Sequence, residues 1–439
     1  MSTTRLIAGG LAVAVTGGAC GDGGKGAVID AAVAPGIDAD TRPAPGEDFV
    51  RDVLSADLHL DVGTLEGTAV ISLAPSTSGA VSFEIGDMVV SGVRDEDGPL
   101  LTSLTGSRLD VGVRDDGAPV TLTIDYRFEQ NSSFDGYIGN GLSFLWPSFC
   151  GNLYPCQSEP DDGLTFRLTV DGIPDGATAV YPQRIDAPAP AYMIAFAYGA
   201  YQYEMLGRTD DGTEVGVYYF AGDEADALAG TAHLAASFEW LEETYGRYVF
   251  EDAVASVQAN WPGGGFGGME HHPLWHVARG SMDDEDTHVH EAAHGWFGNG
   301  VRIRCWEDFV LSEGLASYLA ARALEATGGP DLWPGYQSRL DFAVANEDTL
   351  AWPDGCNQIE ILTDPLWSSI PYMKGAFFMR AVEEQVGRTA LDASIAGFYQ
   401  ERVGTAAGMQ DLIDRIESDT GQDLSPLVDG WLKTLGVPE

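Results

Sequence analysis

The chain has 439 residues, with 67 Asp and Glu against 23 Lys and Arg and a formal net charge of -44. Hydrophobic residues at 44% and aromatics at 10% exclude wholesale disorder, and the acidic excess repels a nucleic-acid duplex or an anionic lipid surface. The length suggests two or three domains. Lysine occurs only at Lys25, Lys374 and Lys433. Such a surface suits high salt or, equally, a GC-rich genome with a need for solubility.

The start reads as an export signal over residues 1–20. Arg5 is a small basic region, Leu6 to Val15 is apolar, and Thr16-Gly17-Gly18-Ala19-Cys20 follows. The apolar stretch is too short to span a bilayer as a helix, so it predicts a processed leader rather than an anchor. Small residues running into a Cys look like a bacterial lipoprotein box, which would place a lipid on Cys20; an ordinary secretory signal with an incidental Cys is the alternative. Membrane association is expected only through such a lipid. The expected location is outside the cytoplasm, at the cell envelope if lipidated and otherwise periplasmic or secreted. Residues 21–46 are rich in Gly, Ala, Asp and Pro without an apolar period, as expected of a flexible linker. Cys150, Cys156, Cys305 and Cys356 remain, an even number that suits two disulfides in an oxidising compartment. Of three pairings the preferred one is Cys150–Cys156, close in sequence, with Cys305–Cys356. Free buried thiols are the other reading.

From residue 47 to 207 the pattern alternates with period two, as in 56–62, 67–73 and 120–126, with Gly, Asp and Pro clusters between. An all-β sandwich or saddle domain is expected there. The span 208–439 is expected to be a second domain. From Asp223 the period turns helical, in a long stretch ending near Tyr245-Gly246. A strand follows at 253–258, then the glycine run 263–268. Beyond Asp283 nearly everything reads helical, with Pro371 suited to a first helical turn. No internal repeat is evident.

Six of the eight histidines fall between 271 and 294, ending in His290-Glu291-Ala292-Ala293-His294. On a helix, residues four apart share a face, so His290 and His294 present two imidazoles to one point. Glu291 beside them can reach a water on the metal rather than the metal itself. A catalytic zinc needs a third protein ligand and one open position. Glu313, on the helix beginning near Val310, follows at a distance that accommodates a loop and a returning helix. Two His and one Glu form the ligand set of thermolysin-like hydrolases.

The run HVHEAAHGWFGNGVRIRCWEDFVLSEGLASYLA resembles the zinc segment of the aminopeptidase N family of gluzincin metallopeptidases, in its short two-domain form. Gly267-Gly268-Met269-Glu270 is similar to that family's G-x-M-E-N motif. Tyr154-Pro155-Cys156-Gln157-Ser158-Glu159-Pro160 resembles its F-P-C-x-D-E-P segment, and Tyr372-Met373-Lys374-Gly375-Ala376 its Y-x-K-G-A segment. The similarity spans about 47 to 439. It implies an N-terminal β-domain followed by a thermolysin-like α/β and α-helical catalytic domain, binding one zinc through His290, His294 and Glu313.

The resemblance further implies roles. Glu291 is the general base that takes a proton from the attacking water and passes it to the leaving amine. Tyr372 hydrogen-bonds the developing oxyanion. Glu270 grips the α-ammonium of a peptide substrate, with Gly267, Gly268 and Met269 alongside it in substrate binding. There are departures. His271 stands where the family has Asn and, if protonated, would oppose an ammonium; Ser312 replaces the Asn before the third ligand; the Glu270-to-His290 interval is shorter. Trp431 to Pro438 resembles the end of the family's catalytic domain, so a more open site, or closure by a partner subunit, is expected. The implied function is zinc-dependent removal of N-terminal residues from peptides. A zinc endopeptidase or other hydrolase on the same scaffold is the alternative, and a non-catalytic surface binding protein the more distant one.

Overall fold

The period-two segments become strands whose apolar alternate residues face inward. In the computed structural model, which describes residues 42–132, 135–261, 267–357 and 359–438, strand Val53–Asp61 buries Ala56, Leu58 and Leu60 and exposes Asp57 and His59. It pairs antiparallel with Glu66–Leu73 and parallel with Leu164–Asp171. These strands lie within a seven-stranded sheet that also contains Arg184–Ala189, Val120–Arg127, Val89–Asp95 and Gly98–Pro99. A three-stranded sheet of Ala80–Glu84, Arg108–Gly112 and Thr102–Thr105 shares its hydrophobic core. The expected leader, Cys20 and residues 21–41 lie outside the described residues, as do residues 263–266 of the glycine run.

The change of sheet comes near residue 200. Tyr201–Arg208 pairs with Glu214–Phe220 in a second, five-stranded sheet, which continues through Ala253–Ala259 and Leu274–Ala278 to the short edge strand Gly268–Met269. The helices are α1 (Glu224–Gly230), α2 (Leu234–Tyr245), α3 (Glu285–Ala293), α4 (Phe309–Thr327), α5 (Trp333–Asn346), α6 (Ser369–Val386), α7 (Arg388–Arg402) and α8 (Met409–Thr420). The chain is thus a β-domain followed by an α/β and then α-helical unit.

Two expectations about helices need correction. The stretch from Asp223 to Tyr245 is two helices. Thr231 Oγ1 bonds back to Ala227 O at 2.7 Å, and a side chain at Gly230 would meet Met282 O at 2.2 Å, so the chain breaks before α2 begins. Among the described residues, 347–368 are not helical; Pro353, Gly355 and Pro365 interrupt any helical period there. Pro371 does sit in the first turn of α6, whose N-cap Ser368 accepts from Ile370 N.

Cys150 with Cys156 and Cys305 with Cys356 stand at disulfide distance, with Cα separations of 6.0 and 5.6 Å. Arg302 ties the two units together. It donates through Nη1 to Pro188 O at 3.0 Å and Gly404 O at 3.3 Å, and through Nη2 to Asp161 O at 3.3 Å. Among the described residues no helix is long and apolar enough to cross a membrane.

Candidate metal centre

Helix α3 carries His290 and Glu291 on its last turns, and His294 follows at its C-cap. His290 Nε2 lies 3.2 Å from both His294 Nε2 and Glu313 Oε2, and His294 Nε2 lies 3.3 Å from Glu313 Oε2. Tetrahedral zinc with bonds of about 2.0–2.1 Å requires ligand atoms about 3.3 Å apart. The three atoms therefore fit three corners of such a site. The ring nitrogens turned away are also held: His294 Nδ1 is 3.0 Å from Phe297 O, and His290 Nδ1 is 3.4 Å from Ser317 Oγ. A carbonyl can only accept, so the His294 proton sits on Nδ1 and the Nε2 lone pair faces the triangle. Ser312, in place of the expected Asn, approaches the same Nδ1 at 3.4 Å.

The electrostatics ask for a cation. Burial lowers the His294 pKa, but Glu313, Glu270 and Glu291 outweigh it and raise it to about 10. A dication answers that demand in place of the second ring proton. Burial raises the Glu313 pKa, yet His294 and His290 outweigh it and hold the carboxyl down, to about 2. Glu291 is pushed well up by burial, and the nearby Glu270 and Glu313 add to that rise.

Glu291 Oε2 is buried without a hydrogen-bond partner among the described residues, an arrangement that needs a reason in a native site. Its carboxylate lies so close to the edge strand that a Cβ on Gly268 would fall 2.4 Å from Oε1. Glycine here is what allows the Glu291 carboxylate to lie against the strand. Glycines also place the third ligand: where α4 and α6 cross, a Cβ on Gly375 would stand 2.5 Å from Gly314 Cα. That close approach brings Tyr372 beside Glu313, with the Tyr372 ring stacked on His290 at 5.9 Å and 18° and its hydroxyl reaching Glu313. Burial, together with Glu313, Glu270 and Glu291, pushes the Tyr372 phenol well up, so it keeps its proton.

Glu270 follows the edge strand directly, and its carboxylate comes within 4.8 Å of ligand atoms of Glu291 and His294. Two residues to which the sequence analysis gave no role hold it. Tyr192 donates to Glu270 Oε1 at 3.0 Å and lies 3.3 Å from Asn299 Oδ1, while Asn299 Nδ2 donates to Glu270 O at 2.7 Å. Asn299 stood inside the quoted zinc segment, so a signal for it existed. Tyr192 is remote in sequence, on a single turn of the β-domain at Ala191–Met193, and no local pattern marks it. Tyr154 of the Tyr-Pro-Cys segment donates to Ala191 O at 2.7 Å. That motif therefore supports the turn that carries Tyr192.

His271 does not oppose a cation at Glu270. It is buried, with Nδ1 3.3 Å from His276 Nδ1 and Nε2 3.5 Å from Leu145 O. Burial and His276 hold its pKa well below the usual range, so it is neutral. Gly267 and Gly268 lie on the open edge of the second sheet, whereas Met269 packs into the core. Lys374 is buried and donates to Thr434 O, away from the metal ligands.

Residues 273–431 match the Peptidase family M1 domain. The chain is 25% identical over 371 residues to probable M1 family aminopeptidase 2 of Encephalitozoon cuniculi (strain GB-M1), covering 73% of this chain and 42% of that protein. It is 28% identical over 335 residues to aminopeptidase N of Lactobacillus helveticus, covering 66% of this chain and 38% of the relative. The chain thus spans less than half the length of these curated relatives. The crystal structure of the M1 zinc metallopeptidase from Deinococcus radiodurans shares the fold, with a TM-score of 0.72 at 20% identity over 88% of this chain and 95% of that one.

Proposed function

We propose that the chain, whose residues 273–431 match the Peptidase family M1 domain, is a zinc-dependent aminopeptidase of that family acting on peptides. The observation that carries this reading is the triangle of His290, His294 and Glu313 ligand atoms, 3.2–3.3 Å on edge, set beside a buried carboxylate oxygen of Glu291 with no partner among the described residues. Bound zinc supplies a Lewis acid that polarises the scissile carbonyl and acidifies water. Glu291 Oε2 accepts the proton of the attacking water and returns it to the leaving amine. Tyr372 donates its O–H to the oxygen that gains charge in the transition state.

Glu270 binds the substrate's free α-ammonium and so sets where the chain is cut. Tyr192 and Asn299 hold the Glu270 carboxylate and backbone so that little ordering remains to be done on binding. Gly267 and Gly268, on the sheet edge, let the substrate backbone lie close. The endopeptidase alternative drew in part on a charged His271, and the burial of that ring removes that part of its support.

A coumarin amide of leucine compared with its N-acetylated form, with chelator and then restored zinc, tests the reading. Cleavage of the free amine alone, lost on chelation and regained with zinc, is expected. Equal cleavage of both forms removes Glu270 as an amine anchor. We also propose that the protein is exported and carries a lipid on Cys20; the apolar Leu6–Val15 stretch and two cysteine pairs at bonding distance support export and disulfide formation.

A further inference from the structure

We propose that His272 is a positioning residue that clamps the amine anchor and the general base at a fixed separation: its main-chain N–H holds the Glu270 carbonyl, and its imidazole holds the Glu291 carbonyl. The inference rests on the aminopeptidase reading and adds a residue to its machinery.

Helix α3 ends where the imidazole sits. Gly295 N lies four residues after Glu291 and is the donor that a continued helix would use, but it turns to Ala292 O at 3.1 Å. His272 Nε2 meets the Glu291 carbonyl in its place, at 2.7 Å. A carbonyl can only accept, so the ring carries a proton on Nε2. Nδ1 lies 2.8 Å from the Tyr248 hydroxyl. Burial lowers the His272 pKa to about 3, so the ring is neutral and Nδ1 accepts the Tyr248 proton. Tyr248 thereby selects the tautomer that caps the helix. Both side chains are buried. A Cβ on Gly295 would fall 2.6 Å from Tyr248 Cε2 and 3.1 Å from His272 Cε1, so glycine leaves room for both rings at the helix end.

The other end of the clamp is local. His272 N donates to Glu270 O at 2.9 Å, where Asn299 Nδ2 also donates at 2.7 Å. One residue therefore bonds the backbone of both carboxylates, Glu270 for the ammonium and Glu291 for the water. Glu291 Oε2 is buried without a partner among the described residues, so its place is set by the main chain that carries it. A misplacement of about 1 Å in such a group costs on the order of 10²-fold in rate.

The two contacts can be separated, because any side chain at 272 other than proline keeps the N–H. His272→Phe removes the imidazole donor, His272→Gln returns an amide N–H near the place of Nε2, and Tyr248→Phe removes only the oxygen that fixes the tautomer. The zinc-loaded full chain and these variants are assayed on the coumarin amide of leucine, with zinc content and thermal unfolding measured in parallel. For His272→Phe the expected result is a kcat at least about tenfold lower with KM within about twofold of wild type. His272→Gln should be at least about threefold faster than His272→Phe, and Tyr248→Phe about threefold or more slower than wild type. A kcat within about twofold of wild type in folded, zinc-loaded His272→Phe overturns the inference, as does a loss confined to KM or a glutamine variant no faster than the phenylalanine one. Where His272→Phe loses zinc or cooperative unfolding, Tyr248→Phe decides, and an unchanged kcat there overturns the inference. Each of these failures leaves the aminopeptidase reading intact. No turnover by the zinc-loaded wild type overturns that reading, and the inference with it.

Discussion

Tyr192→Phe isolates one hydrogen bond between the domains. The hydroxyl donates to Glu270 Oε1 at 3.0 Å, and both residues are buried, at 7% and 6% exposure. Phenylalanine keeps the ring and its packing and removes only the donor. A hydrogen bond to a charged group contributes about 1.5–3 kcal/mol, and about 1.4 kcal/mol corresponds to one decade, so kcat/KM for a free-amine substrate should fall roughly 10- to 100-fold. If Glu270 holds the ammonium in ground state and transition state alike, as proposed, the loss should appear mainly in KM. Steady-state kinetics on the best coumarin substrate, with zinc content measured in parallel, provide the assay. A kcat/KM within twofold of wild type at full zinc content would refute the claim that the β-domain takes part in holding the amine anchor.

Gly268→Ala should lower kcat by about 10²-fold or more, because its Cβ would stand 2.4 Å from Glu291 Oε1; a metal assay should show zinc retained, and normal turnover would show that the base need not lie against this strand. Cys305→Ser opens a pair separated by 51 residues and should cost roughly 4 kcal/mol of stability; equal denaturant midpoints for wild type and variant without reductant would argue against a bond. Glu84 gives a pH test away from the site. Burial raises its carboxyl to about 7, against hydrogen bonds from Ser158 and Cys150 that lower it. The folded state therefore holds a proton that the unfolded chain releases near 4.5, and stability contributed by Glu84 is present below that value and lost as pH rises toward 7. Glu84→Gln should raise the melting temperature at pH 8 and leave it nearly unchanged at pH 4; no difference at pH 8 would contradict the burial argument.

The legible parts of the sequence were those with a local period. Alternation read strands at 56–62, 67–73 and 120–126, and the observed ones are Val53–Asp61, Glu66–Leu73 and Val120–Arg127, because one face of each is core and the other is water. The i, i+4 spacing of His290 and His294 placed two ligands on one helix face, and Glu313 joined them through the crossing of α4 and α6 at Gly314 and Gly375. Tyr192 was not legible, because its partner lies 78 residues away and in the other unit. Nor was the neutral state of His271, which depends on what surrounds the ring rather than on its neighbours in the chain. The segment 347–368 falls within the helical reading although Pro353, Gly355 and Pro365 speak against it; among its described residues it is not helical, and it contributes Cys356 and Trp367.

The Tyr154–Ala191 and Tyr192–Glu270 bonds form a relay of two struts from one lobe into the other. Severed from its β-lobe, the helical half would keep all three metal donors but lose the brace on its anchor. Such a fragment should load zinc and still hydrolyse poorly, so metal occupancy alone is an unsafe measure of competence in truncated versions of this chain.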